Sequence, residues 1–265
     1  MNKENLLIKN IPFPKFDFLD ETSPMIIAGP CSIESKYQAE EVAQKLVDYK
    51  IKIMRGGAFK PRTSPYDFQG LGIEGLDILN NIRKKYGLLI ISEILDVRDI
   101  ELGLRYTDII QIGSRNMYNA PLLTELGITK HPVLLKRGMM ATLSEFMYAA
   151  EYILKGGNNQ IILCERGIRT FETSVRNTLD ISTIAILKKE IALPIIVDLS
   201  HSLGRKDIIL PIAKAVLALG VDGIMFEVHN NPKISLSDSK QQLSFEELDS
   251  FLNKLLCFEC KKGKA

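Results

Sequence analysis

No apolar run in this 265-residue chain reaches the roughly 18 residues of a membrane-crossing helix, so no membrane span is expected. The first residues, MNKENLLIKNIPFPKFDF, hold no apolar core followed by a small-residue cleavage site. They do not read as a secretory leader, and the cytoplasm is the expected compartment. Cysteine is scarce. Four in a chain this long are not a disulfide framework. Cys164 lies inside the apolar run IILC and reads as core, while Cys257 and Cys260 form a lone CxxC near the C-terminus that reads as incidental. Neither sign of charge dominates: 34 Lys and Arg against 32 Asp and Glu leave a net charge of +2. That balance argues against nucleic acid or a membrane surface as a partner, and any positive field must be local. A Gly-rich dinucleotide fingerprint is missing from the first strand-helix unit.

What is present is an alternation. Short, β-branched apolar runs occupy residues 25–29, 51–56, 88–94, 108–113, 132–137, 160–165, 194–199 and 223–228. Amphipathic, helix-like stretches lie at 35–49, 72–86, 97–106, 120–127, 142–156, 174–190, 207–220 and 244–258. Ser244, with Glu247 three residues on, has the form of a capping box for the last of these. Strict alternation implies a parallel sheet. Eight such units in about 250 residues predict an α/β fold, a closed (β/α)8 TIM barrel. An open doubly wound sheet is the alternative, and the missing fingerprint speaks against it. Residues 1–24, with Pro12, Pro14, Phe13, Phe16 and Phe18, read as an N-terminal arm packing on the barrel. The catalytic barrel is expected over 25–258 and a frayed tail over 259–265.

In such a barrel the C-terminal strand ends face the active site. Read in order, those ends present Cys31, then Arg55 and Lys60, Glu93 and Asp96, Arg115, Lys136 and Arg137, Glu165 and Arg166, Asp198 and His201, and last Glu227 and His229, with Asp238 beyond. Buried charge is unfavourable unless paired or ligated, so charge recurring at one register points to a functional cluster. Arg137 and Glu165 alternate with their neighbours along the strand and are expected to point away from the mouth. His131 begins its strand and belongs to the opposite face.

The stretch MRGGAFKPRTSPYDFQG follows the second strand and carries Arg55, Lys60 and Arg62 between glycines and prolines that bar a helix. Alone, it fits a solvated basic loop as well as a ligand loop. Together with Arg115, Lys136 and Arg166 it contributes to six cations from four strand ends. Converging cations repel one another without an anion, and one phosphate needs two or three. Six suggest more than one anionic group, such as a phosphorylated carboxylic acid and a second phosphate. Cys31, His201, Glu227 and Asp238 form a mixed soft and hard donor set. It suits a divalent transition metal (Mn, Fe, Co or Zn) better than Ca or Mg. Their spacing gives no local motif, and Cys31 also fits a small buried residue before a helix.

The motifs AGPCSIES, RGGAFKPRTSPYDFQG, SEILD, IGSRNM, LLKRGM, CERG, VDLSHS and FEVH followed by SLSDSKQQL occur in one order over residues 24 to 255. In that order they resemble the type I 3-deoxy-D-arabino-heptulosonate-7-phosphate (DAHP) synthases, the subfamily akin to 3-deoxy-manno-octulosonate-8-phosphate synthase. The resemblance implies a metal-dependent transferase at the first step of the shikimate pathway to aromatic amino acids. Phosphoenolpyruvate and erythrose 4-phosphate would condense with water to give DAHP and phosphate. It implies Cys31, His201, Glu227 and Asp238 as metal ligands, and Arg55 and Lys60 at the phosphoenolpyruvate carboxylate and reacting centre. It puts Arg115, Lys136 and Arg166 on the phosphate of phosphoenolpyruvate, Arg62 and Thr63 with Ser64 nearby on the sugar phosphate, and Glu93 beside the reacting carbons. Lys60, Glu93, Cys31 and His201 are the implied catalytic residues, and a homo-oligomer (dimer or tetramer) is expected. The sister synthase uses arabinose 5-phosphate and has a loop resembling KANRSS, where this chain reads KPRTS. A non-catalytic phosphosugar-binding barrel would be expected to have lost a ligand or Lys60, and neither is lost. One departure is VHNNP, with Asn230 where the family often has proline. Related enzymes often carry a regulatory domain or a fused chorismate mutase, and the short arm and tail are expected to hold neither.

Overall fold

The computed structural model of the chain describes residues 6–18 and 23–262, the side chains of 256–262 excepted. The eight expected strands all form: β1 Met25–Gly29, β2 Ile53–Arg55, β3 Leu89–Glu93, β4 Ile109–Ile112, β5 Val133–Lys136, β6 Ile161–Glu165, β7 Ile195–Asp198 and β8 Gly223–Glu227. Each pairs in parallel with the next, and β8 pairs with β1, closing the barrel. Outside it lie α1 Lys36–Asp48, α2 Ile73–Tyr86, α3 Ile100–Tyr106, α4 Ala120–Ile128, α5 Leu143–Lys155, α6 Ile181–Glu190, α7 Leu199–Leu203, α8 Ile209–Ala218 and α9 Phe245–Lys262.

The two-residue period of a strand sorts each run into an inward and an outward set. Ile27, Ile53, Ile91, Ile109, Leu134, Ile162, Cys164, Ile196 and Met225 make an apolar layer inside the barrel. Residues of the other parity, among them Ala28, Met54, Ile90, Ile110, Leu135, Leu163, Val197 and Phe226, pack outward against the helices. Fully burying an Ile, Leu or Phe is worth about 1.5–3 kcal/mol, so both layers hold the barrel. Two residues beyond the inner layer the same period brings Arg55, Glu93, Gln111, Lys136, Arg166, Asp198 and Glu227 to one end. The inner apolar layer is therefore the floor of a polar one.

Phe16 of the N-terminal arm joins the inner apolar cluster beside Met25, and its ring lies 5.1 Å from that of Phe18. Leu6 and Ile8 are buried, and the Ile8 amide donates to Glu151 Oε1 of α5 at 2.7 Å. Phe13 stays exposed. Gly29 ends β1 at φ 148°, and a Cβ there would overlap the Arg55 carbonyl, so β1 and β2 close only around a glycine.

Three elements differ from expectation. The helix expected over 174–190 begins only after Asp180, whose side chain accepts the Thr183 amide as its cap. Residues before it form a loop whose Arg176 and Asn177 amides bond to the carbonyls of Leu203 and Ser202, a tertiary pairing that local periodicity does not encode. Directly after β7, α7 forms as an additional helix, capped by Asp198 and ended by Gly204 in the left-handed region. The last helix runs to Lys262, past residue 258. The Ser244–Glu247 capping box forms as expected. The side chains of Cys257 and Cys260 lie outside the described residues.

Candidate active site

Cys31 follows β1, His201 sits in α7, Glu227 ends β8 and Asp238 lies in the following loop. Although up to 207 residues separate them in sequence, one donor atom from each lies within 4.8 Å of all the others. Asp238 takes φ 47°, a backbone region that few residues other than glycine occupy. The Cys31 thiol donates to Asp238 Oδ2 at 3.3 Å, and Lys60 Nζ lies 3.1 Å from Cys31 Sγ. His201 Nε2 lies 3.5 Å from Glu227 Oε1 and 3.7 Å from Asp238 Oδ2. Thiolate, imidazole and carboxylate bond such ions at about 2.0–2.3 Å, so small side-chain shifts would bring all four donors onto one ion. The donor set and its convergence fit a transition metal.

Beside this group a cavity of about 300 Å³ opens at the C-terminal strand ends. Arg55, Lys60, Arg62, Thr63, Glu93, Arg115, Lys136 and Arg166 all reach its wall. Ser64 does not; it shapes the turn, its hydroxyl accepting the Tyr66 amide at 3.2 Å. Arg55 donates to Glu227 Oε1 at 2.8 Å, and Gln111 donates to Glu93 Oε2 at 3.0 Å. The Nε of Arg55 and of Arg166 are buried without a partner. A buried, unpaired guanidinium nitrogen is costly unless an anion completes it.

Residues 20–258 match the profile of the DAHP synthetase I family. The chain belongs to that family. It is 52% identical over 237 residues to the phospho-2-dehydro-3-deoxyheptonate aldolase of Thermotoga maritima, covering 89% of this chain and 69% of that one. The 2-dehydro-3-deoxyphosphooctonate aldolase of Geobacter sulfurreducens is 30% identical, with 87% and 90% covered. The crystal structure of the Thermotoga maritima DAHP synthase superposes with a TM-score of 0.91 at 46% identity, over 95% of this chain and 75% of that one. A truncated form of 3-deoxy-D-arabino-heptulosonate 7-phosphate synthase from the same organism gives 0.87 at 43% identity, with 95% and 94% covered.

The electrostatics of this family member's site follow from burial and pairing. Burial pushes the Cys31 thiol up to about 12, helped by Glu227 and offset in part by Lys60 and Arg55. Burial pulls His201 down to about 4, against the pull of Asp198. For Glu227, burial works against ionisation, but His201 and Arg55 outweigh it and hold the carboxyl below its ordinary value. Burial pulls Lys60 down as well, yet Cys31 and Glu227 raise it above an ordinary lysine.

Several candidates fall elsewhere. Arg137 points outward as expected, paired with Glu165 at 2.8 Å and Asp180 at 3.0 Å. Asp96 is half-buried near the surface, paired with the exposed Arg98 at 2.8 Å and absent from the cavity wall. His229 is buried against Glu34 at 3.4 Å, away from the cavity wall. Asn230 donates to Glu41 of α1 at 2.6 Å. The structure adds Gln111, Arg169, Arg176 and Asn177 to the wall. Gln111 follows Ile109 at the strand period and was legible by that signal. Arg169, Arg176 and Asn177 ride on the loop before α6, where a helical reading of 174–190 hid the last two.

Proposed function

We propose that this chain joins phosphoenolpyruvate to erythrose 4-phosphate with water, releasing DAHP and phosphate. The observation that carries the reading is one cavity lined by Arg55, Lys60, Arg62, Arg115, Lys136 and Arg166 and opening beside the Cys31–His201–Glu227–Asp238 group, in a member of this family. Arg115, Lys136 and Arg166 bind the phosphate of phosphoenolpyruvate, and Arg55 with Lys60 binds its carboxylate. Arg62 and Thr63 hold the sugar phosphate at the other end. Bidentate cations fix both ligands so that C3 of the enolpyruvate faces the aldehyde carbon, which removes much of the entropic barrier. A divalent transition ion, held by Cys31, His201, Glu227 and Asp238, would polarise the aldehyde oxygen as a Lewis acid. Lys60 keeps its proton and presents a charged Nζ where the new alkoxide forms. Glu93, oriented by Gln111, faces the C2 position where positive charge develops and water adds. The C2 adduct then expels phosphate with its bridging oxygen, leaving the ketone.

The sequence KPRTS, with Arg62 and Thr63 on the cavity wall, favours the four-carbon sugar. The eight-carbon-acid enzymes compared are the more distant relatives, at 30% identity and below. Product analysis with phosphoenolpyruvate and each aldose phosphate tests this. Erythrose 4-phosphate should be consumed far faster; a larger kcat/KM for arabinose 5-phosphate would overturn the assignment.

A further inference from the structure

Asp198 is neither on the cavity wall nor in the donor group, yet it contacts one member of each. It ends β7 and caps α7. Its side chain is fully buried. Its Oδ1 accepts the His201 amide at 3.0 Å, which fixes the start of the helix that carries His201. Its Oδ2 lies 2.8 Å from His201 Nδ1 and also accepts from Lys136 Nζ. A carboxylate facing Nδ1 keeps the proton there and leaves the Nε2 lone pair free. Nε2 is the nitrogen turned toward Glu227 and Asp238.

One oxygen thus serves two donors that belong to different subsites. We propose that Asp198 is a positioning residue that makes metal binding and phosphate binding mutually reinforcing, because Lys136 and His201 share its Oδ2. When Lys136 leans toward a substrate phosphate, Oδ2 is less compensated and accepts more strongly from Nδ1–H. That raises the basicity of Nε2 toward a cation. In reverse, a cation on Nε2 polarises Nδ1–H toward Oδ2 and loosens Lys136 for the phosphate. Linkage requires the two effects to be equal. The inference rests on the proposed ligand roles of His201 and Lys136.

Calorimetric titration of the metal-free protein with Mn²⁺, with phosphoenolpyruvate, and with each in the presence of the other tests it. In the wild type each ligand should tighten the other. Asp198→Asn should weaken Mn²⁺ by about 10- to 100-fold, the usual effect of losing such a partner. It should leave phosphoenolpyruvate binding to the metal-free protein undiminished, since Lys136 loses a competitor, and the mutual tightening should shrink. A purely structural role would weaken both ligands together, and that result would overturn the proposal, as would unchanged Mn²⁺ affinity. Lys136→Met supplies the opposite case even if the first variant does not fold: Mn²⁺ should bind more tightly without substrate, while phosphoenolpyruvate weakens. Failure of Mn²⁺ to tighten there also overturns it. A wild type that binds neither ligand would instead sink the proposed activity and this inference together.

Discussion

Cys31 is the residue on which the chemistry of the donor group turns. With its thiol pushed up to about 12 and His201 pulled down to about 4, near-neutral solution leaves the thiol protonated and the imidazole neutral. A metal must therefore displace one proton, from Cys31, and none from His201. Proton release near one per ion, and affinity rising about tenfold per pH unit across neutrality, are the expected results of calorimetry in buffers of differing ionisation enthalpy. Release of two protons would mean that His201 is charged in the free protein. Chelation should abolish activity, with Mn, Co or Fe restoring it. Cys31→Asn should lose most metal affinity, because a neutral amide oxygen replaces a polarisable thiolate. Cys164→Ala, in the inner apolar layer, should cost about 1 kcal/mol of packing and leave metal content intact.

At the scale of elements, the register of the strands does the positioning. Glu93 at the end of β3 stands opposite Gln111 of β4, and the chain then turns at Gly113. A Cβ on Gly113 would overlap Glu93 Oε1. Gly113→Ala should therefore push the Glu93 carboxylate out of place while the strand itself persists. A misplacement of about 1 Å can cost roughly 100-fold in rate, and a kcat loss of that order with a near-normal melting temperature is expected. Normal kcat in this variant would show that Glu93 has no demanding position to keep. Helices were readable where cap and periodicity agree, as at Thr142 with Glu145 on α5, whose reciprocal capping box forms. They were misread where a loop has helix-like composition but its amides are claimed by another part of the chain, as at Arg176 and Asn177.

Across the whole molecule, one buried ion pair ties the barrel to its outer layer. Arg137 and Glu165 are both nearly inaccessible, and Arg137 also reaches Asp180 at the start of α6. Burial pushes the Glu165 carboxyl up, while Arg137 and the Gly167 amide oppose it. Arg137→Met should leave that acid uncompensated and cost about 3–5 kcal/mol in denaturant unfolding. Phosphoenolpyruvate binding per folded molecule should hardly change, because Arg137 faces away from the cavity. A loss of binding without a loss of stability would place Arg137 in the site instead.

The sequence alone determined the barrel, because a hydrophobic period of two, repeated eight times between amphipathic segments, has few other ways to bury itself. The same period carried Arg55, Glu93, Lys136, Arg166 and Glu227 to one end, since parallel strands all finish on the same side. The convergence of Cys31, His201, Glu227 and Asp238 was only a list of suitable donors until the chain closed. Their distances depend on the β8–β1 pairing, on the short α7 and on the loop after β8, none of which has a local signature. Tertiary structure likewise decided that Ser64 turns the loop rather than lining the cavity, and that Asp198 stands between Lys136 and His201. Such contacts join residues far apart in the chain, and a linear pattern encodes which face a residue takes but not which distant neighbour meets it there.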